Sequence, residues 1–219
     1  MTSADLPPSP LTWAYADGWS EEDPEIAAAR RTAVALRTPS ISKPVGSLLR
    51  LVVAAVNAGA VVEVGSGTGV SGGWILGGLT DDGVLTTVDA DPELQSAARD
   101  TFMRMGVPHT RVRTIAGNPF DVLMRLTDGA YDVLVVGASV PLGIGEEHDL
   151  LRQAERLLRP GGVIALTHVL SDDGTDPAHR DIAQHLRDDP DWVASLLTVG
   201  EGLLLAVRRG PEPEAEPEA

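Results

Sequence analysis

Cysteine is missing from this chain, which excludes disulfides and thiolate-held metal and fits a reducing compartment. Aromatic residues are scarce, with four Trp, two Tyr and two Phe, and three of them (Trp13, Tyr15, Trp19) crowd into the first twenty positions. No stretch reaches the roughly 18 uninterrupted apolar residues of a membrane span. The segment from Met1 to Pro10 has neither a basic cluster nor an apolar run, so no signal peptide is expected and a cytoplasmic protein is. Positive charge is also in short supply: 17 Lys and Arg face 32 Asp and Glu, for a net charge of -15. Phosphate backbones would be repelled, which argues against a nucleic-acid partner.

What is present reads as one globular domain. The 219 residues are 43% hydrophobic and 22% charged, enough for a substantial core. The last segment, from Pro211 to Ala219, alternates proline and glutamate and reads as a disordered acidic tail over 210–219. The Pro-rich, then aromatic segment 1–19 reads as a loosely packed arm that covers a groove, a substrate or a second subunit.

The chain is organised around Val61-Val62-Glu63-Val64-Gly65-Ser66-Gly67-Thr68-Gly69-Val70-Ser71-Gly72. An apolar, β-branched strand runs into a glycine-dense turn and then a small-residue helix start. Glycine permits positive φ and a close backbone approach to a ligand, and ligands of open α/β sheets sit at the carboxyl ends of the strands. A second strand, Val84 to Asp89, ends in an acid about 20 residues past the turn, the offset at which a carboxylate reaches ribose hydroxyls.

Two features separate the possible nucleosides. The glycines alternate at 65, 67 and 69 rather than following the dinucleotide spacing, and Glu63 precedes them. A carboxylate there opposes a pyrophosphate and suits a cationic ligand such as S-adenosylmethionine, with its sulfonium and ammonium groups. An NAD-linked oxidoreductase is therefore disfavoured.

The remaining elements follow by periodicity and punctuation. Ser20, ahead of Glu21, Glu22, Asp23 and Pro24, is read as the cap of a helix to Arg37. Further helices are expected over 47–55, 71–79, 92–105, 121–126, 146–158 and 179–188. Strands are expected over 112–116, 131–137, 163–169, 194–199 and 203–208, with Arg159-Pro160-Gly161-Gly162 as a turn. Gly200-Glu201-Gly202 joins the last two strands as a hairpin. Strands alternating with helices and closing on a hairpin imply a seven-stranded, mostly parallel sheet with one antiparallel strand.

From Ser40 to Arg208 the chain resembles the S-adenosylmethionine-dependent methyltransferases, and more narrowly the bacterial O-methyltransferases related to catechol O-methyltransferase. The resemblance is carried by the Glu63–Ser71 loop, Thr87-Val88-Asp89, Tyr131-Asp132 and Leu157 to Ile164. It implies a Rossmann-like class I methyltransferase fold over 20–209, S-adenosylmethionine as cofactor, a small hydroxylated substrate and a homodimer. It also implies cofactor contacts at Glu63, Gly65, Ser66, Gly67, Ser71, Asp89 and Gly117. Of these, Glu63, Gly65 and Ser71 would hold the methionine part and Asp89 the ribose. Ser40 and Ile41, in the loop before the second helix, and Phe120, beside the adenine, are further candidates of the same origin.

On the catalytic side the chain departs from the family. Metal-dependent members end the fourth strand with an Asp that binds Mg²⁺ and carry a Lys three residues later; here those places hold Gly137 and Val140. The family's Asp-Asn pair at the end of the fifth strand is Thr167-His168. Such a set does not supply the oxygens Mg²⁺ requires, so metal-independent transfer is expected. His168 is the candidate base, with Ser139 and Asp172 behind it; a packing histidine is the competing reading. A degenerate cofactor-binding protein, acting as a sensor or partner subunit, stays open as an alternative.

Overall fold

The computed structural model describes residues 10–137, 140, 146–170 and 177–210. Seven strands form one sheet in the order β3-β2-β1-β4-β5-β7-β6. They are β1 (Ala60–Val64), β2 (Val84–Asp89), β3 (Val112–Ala116), β4 (Tyr131–Val136), β5 (Leu158–Thr167), β6 (Trp192–Leu197) and β7 (Leu203–Arg208). β1 pairs in parallel with β2 and β4, and β4 in parallel with β5. β7 runs antiparallel between β5 and β6, as the hairpin predicts. Strand order reverses between β1 and β4, the switch point at which such sheets open a crevice.

The strands read as continuous apolar runs because both faces are covered. Val61, Val133, Val135, Val163 and Ala165 pack with α2 (Pro24–Leu36), α3 (Lys43–Ala55), α4 (Val70–Leu76) and α5 (Pro92–Arg104). Their neighbours Val62, Val64, Leu134, Val136, Ile164 and Leu166 face the layer of α6 (Pro119–Leu123), α7 (Glu146–Leu157) and α8 (Pro177–Asp188). This strict alternation is the two-residue period of a pleated strand. α4 lies close to its neighbours: a Cβ at Gly72 would stand 2.7 Å from the Phe102 ring. That ring is buried, and its removal from water contributes about 2 kcal/mol. No helix among the described residues is long and apolar enough to cross a membrane.

Several boundaries differ from the sequence reading, each for a local reason. Residues 10–19 form a helix, α1 (Pro10–Trp19), rather than a loose arm. α2 is capped not by Ser20 but by Asp23, whose carboxylate accepts the Glu25 N–H at 2.8 Å. α3 begins at Lys43, four residues before expectation, because Pro44 is tolerated in a first turn. α4 stops at Leu76, where the glycine pair Gly77-Gly78 begins. α6 starts two residues early, because the Asn118 side chain caps the N–H groups of Phe120 and Asp121.

The segment 159–162 belongs to β5 rather than to a separate turn. Leu158 already pairs with Tyr131, and the register shifts before Val163 meets Val133. Asp132 holds this junction by accepting the N–H groups of Gly59 and Ala60 at 2.7 and 2.8 Å and pairing with Arg159. β5 ends at Thr167 rather than Val169 because His168 takes φ +61. β6 is two residues early at both ends.

Candidate functional site

Beyond β1 the backbone turns sharply. Gly65, Gly67 and Gly69 have φ +87, +49 and +89, left-handed values that cost other residues free energy. The turn is fixed from both sides: Gly65 N–H donates to Val88 O at 2.7 Å and Gly137 N–H to Val64 O at 2.8 Å. A narrow cleft opens here, lined by Pro39, Ser40, Ile41, Gly65 to Thr68, Val70, Ser71, Gly137 and His168. Roomier hollows between α7 and α8, and between α8 and β6, contain no residue of this turn.

Beneath the turn lies a buried polar chain. Glu63 is fully buried, and its Oε2 accepts the Thr87 hydroxyl at 2.6 Å. Thr87 Oγ1 lies 2.6 Å from Ser66 Oγ; since the Thr87 proton goes to Glu63, Ser66 is the donor. The other carboxylate oxygen, Glu63 Oε1, is buried without a hydrogen-bond partner. Burial pushes the Glu63 carboxyl up to about 7, against the hydroxyls of Ser71 and Thr87, which hold it down. Ser66 is thus committed to Thr87 through its hydroxyl, and its carbonyl accepts the Gly69 N–H at 2.9 Å.

Asp89 ends β2 and is also buried. Its Oδ2 accepts the Gly67 N–H at 2.9 Å and its Oδ1 the Asp91 N–H at 3.0 Å. Burial raises its carboxyl, and these N–H groups oppose the rise. Each oxygen keeps a second lone pair. Gly117 extends β3 by donating to Asp89 O at 2.9 Å, so it borders Asp89. Phe120 is half-buried and packs against the α6–α8 core layer.

On the other side of the turn stand Gly137, Thr167 and His168. A Cβ at Gly137 would lie 2.9 Å from Gly65 O, so the end of β4 touches the turn through bare backbone. Thr167 Oγ1 donates to Val136 O at 3.3 Å and lies 3.2 Å from His168 Nδ1. With its proton engaged, the Thr167 oxygen is an acceptor, which assigns the hydrogen to Nδ1 and makes Nε2 the basic nitrogen. The left-handed backbone of His168 is strained for a non-glycine residue and held by its surroundings. Ser139 and Asp172 lie outside the described residues, as do 1–9, 211–219 and the Trp13 side chain. Among the described residues, the group of three or more His and acid side chains close enough to share an ion is Glu155, His185 and Asp189, on α7 and the end of α8.

The structure brings Glu63, Gly65, Ser66, Gly67, Ser71, Asp89 and Gly117 to one end of the sheet, with Ser40, Ile41 and His168 at the cleft. Sequence reasoning assigned no role to Thr87 or Glu201. The signal for Thr87 was weak: it is one of two adjacent threonines in β2, and only the parallel register sets it directly opposite Glu63. For Glu201 it was an acid between two glycines in a hairpin turn.

A doubly wound sheet with a glycine turn and a buried acid at its switch point defines a Rossmann-like methyltransferase. The profile of one family, described as O-methyltransferase, matches residues 19–209. A protein of Mycobacteroides abscessus named "Putative O-methyltransferase" is 39% identical over 217 residues, covering 94% of this chain and 99% of its own. The O-methyltransferase TomG from Streptomyces achromogenes, involved in tomaymycin synthesis and solved in complex with S-adenosylmethionine, has a TM-score of 0.77. It is 25% identical, over 90% of this chain and 95% of its own. Cofactor-bound Rv0187 from MTB, 28% identical over 94% of this chain and 99% of its own, also has a TM-score of 0.77. This chain belongs to the O-methyltransferase family.

Proposed function

We propose that this protein transfers a methyl group from S-adenosylmethionine to a hydroxyl oxygen of a small molecule, with His168 as base and no divalent metal at the strand ends. As a family member it is an S-adenosylmethionine-dependent O-methyltransferase; the base, the metal-independence and the individual contacts are our reading. The observation that carries it is Glu63, buried under the glycine turn with one carboxylate oxygen unpartnered. A buried carboxylate oxygen left without a partner is costly, and a cationic ligand relieves that cost. The donor set therefore fits S-adenosylmethionine better than a pyrophosphate.

In this reading the Glu63 carboxylate and the Ser71 hydroxyl receive the amino-acid end, and the second lone pairs of Asp89 accept from the ribose. The cofactor, when bound, supplies a methyl carbon made electrophilic by its sulfonium. Alignment and removal of one proton remain for the protein. His168 Nε2 takes the hydroxyl proton of the acceptor, while Thr167 holds the ring in the required tautomer. Gly137, Thr167 and His168 offer no carboxylate for Mg²⁺. Membership of the O-methyltransferase family favours an active enzyme over a degenerate binding protein.

We further assign 20–209 to the catalytic domain, 1–19 to an arm and 210–219 to an acidic tail, in a cytoplasmic homodimer. Leu11, Tyr15 and Trp19 recur at four-residue spacing on α1 and are 83%, 70% and 74% exposed. This apolar stripe is a surface suited to a second copy. Tyr15→Glu with Trp19→Glu should halve the mass seen by light scattering; an unchanged mass would remove α1 from the interface.

Calorimetric titration with S-adenosylmethionine, S-adenosylhomocysteine and NAD, each with and without Mg²⁺, tests the function. Binding of the first two, indifferent to Mg²⁺, is the expected result. Failure of both to bind would reduce the glycine turn to scaffold and end the proposal.

A further inference from the structure

The hairpin turn between β6 and β7 lies at the same end of the sheet as the glycine turn. Gly200 and Gly202 both take positive φ, +52 and +91, and raise Glu201 between them. The turn is stitched to the chain just after His168: Leu170 N–H donates to Glu201 O at 3.0 Å and Val169 N–H to Gly202 O at 3.4 Å. The Glu201 side chain is mostly buried, at 18% exposure, and its Oε1 accepts the Ser42 N–H at 2.9 Å. The same oxygen stands 3.9 Å from His168 Nε2. One carboxylate oxygen therefore meets both the loop that brings Ser40 and Ile41 to the cleft and the proposed base.

We infer that Glu201 is a positioning residue that couples the 39–42 loop to His168 and stabilises the imidazolium formed when His168 takes the substrate proton. This rests on the reading of His168 as base. At 3.9 Å the pair is too long for a hydrogen bond but within reach of a charge interaction, which favours the protonated ring. Glu201 thereby strengthens the base without taking the proton from it. The described residues that share the cleft with His168 come from the 39–41 loop, the 65–71 turn and Gly137, and none of them carries a charge. Glu63 lies beneath that turn, held by Thr87. The loop itself is anchored from behind by Arg30, which donates to Ser40 Oγ at 3.3 Å and to Ile41 O and pairs with buried Glu22.

Two variants of the full-length protein separate the two duties. Glu201→Gln keeps an oxygen for the Ser42 N–H and removes the charge; Glu201→Ala removes both. With Glu201→Gln, the His168 ring, followed by NMR and assigned with His168→Gln, should titrate about half a pH unit or more below wild type. The rising limb of kcat against pH should move the same way and its plateau should fall severalfold, with S-adenosylhomocysteine affinity unchanged. Glu201→Ala should in addition weaken S-adenosylhomocysteine binding severalfold. A purely structural Glu201 predicts a wild-type titration and pH profile for Glu201→Gln, and that result would overturn the inference. The NMR titration stands whether or not His168 is the base: loss of turnover in His168→Ala tests that role separately.

Discussion

On the β1–β2 side of the switch point, Glu63, Thr87 and Ser66 form one hydrogen-bonded chain and Gly67 and Asp89 a second bond beside it, with distances of 2.6 to 2.9 Å. On the β4–β5 side, at the same level of the sheet, the chain offers bare backbone at Gly137, one hydroxyl at Thr167 and an imidazole at His168. The first side is hydrogen-bonded, acidic and buried. Among the described residues the second is lightly furnished, and Glu201, from a distant hairpin, brings a carboxylate to within 3.9 Å of its imidazole. A family shares its cofactor, so the geometry that holds it admits little variation. The acceptor side must deal with whichever proton its substrate carries, and there one set of ligands can give way to another.

The sharpest way to break this contrast is His168→Ala. Loss of a general base should lower kcat by about 10²- to 10⁴-fold, with S-adenosylhomocysteine affinity by calorimetry nearly unchanged. Undiminished turnover would assign His168 to packing and leave the acceptor side without a base.

Glu63 tests the opposite side. Its folded carboxyl titrates near 7 against an ordinary 4.5, so between those values the folded state holds a proton that the unfolded state has released. Stability of the unliganded protein therefore falls as pH rises through that window, by about 3 kcal/mol in all. Glu63→Gln should recover much of this at pH 8 in urea titrations and be nearly neutral at pH 4. The same variant should weaken S-adenosylmethionine binding. Wild-type affinity should rise about tenfold from pH 6 to pH 8, as the carboxylate that meets the cation becomes ionised. A flat affinity profile would separate Glu63 from the ligand.

Gly137→Asp places a carboxylate where metal-dependent relatives have one. Its Cβ would press on Gly65 O, so the expected result is a loss of about 1–3 kcal/mol of stability, read by urea titration. No Mg²⁺ dependence should be gained in turnover assays. A stable variant that requires Mg²⁺ would show that the two sides are not built as differently as the contacts indicate.

Much of the cofactor side was legible because its parts are contiguous. Glycines at 65, 67 and 69 can be read as a turn, and Glu63 and Asp89 as strand-end acids, from a dozen residues each. The mostly parallel character of the sheet followed from alternation, since parallel neighbours need crossover helices. Helix starts were less legible: Ser20 and Asp23 are both good caps, and the separate helix over 10–19 decided between them. The span 159–162 has the residues of a turn, yet the Leu158–Tyr131 pairing keeps it within β5.

The sequence by itself determined the class of fold, the cofactor class and the acids that end up beside the glycine turn, because short-range spacing and periodicity encode them. Tertiary structure alone decided that Thr87 and Ser66 are spent on Glu63, that Thr167 sets the tautomer of His168, and that Glu201 meets Ser42 across 159 positions of chain. Such contacts arise from strand register and loop docking, which no local pattern of residues specifies.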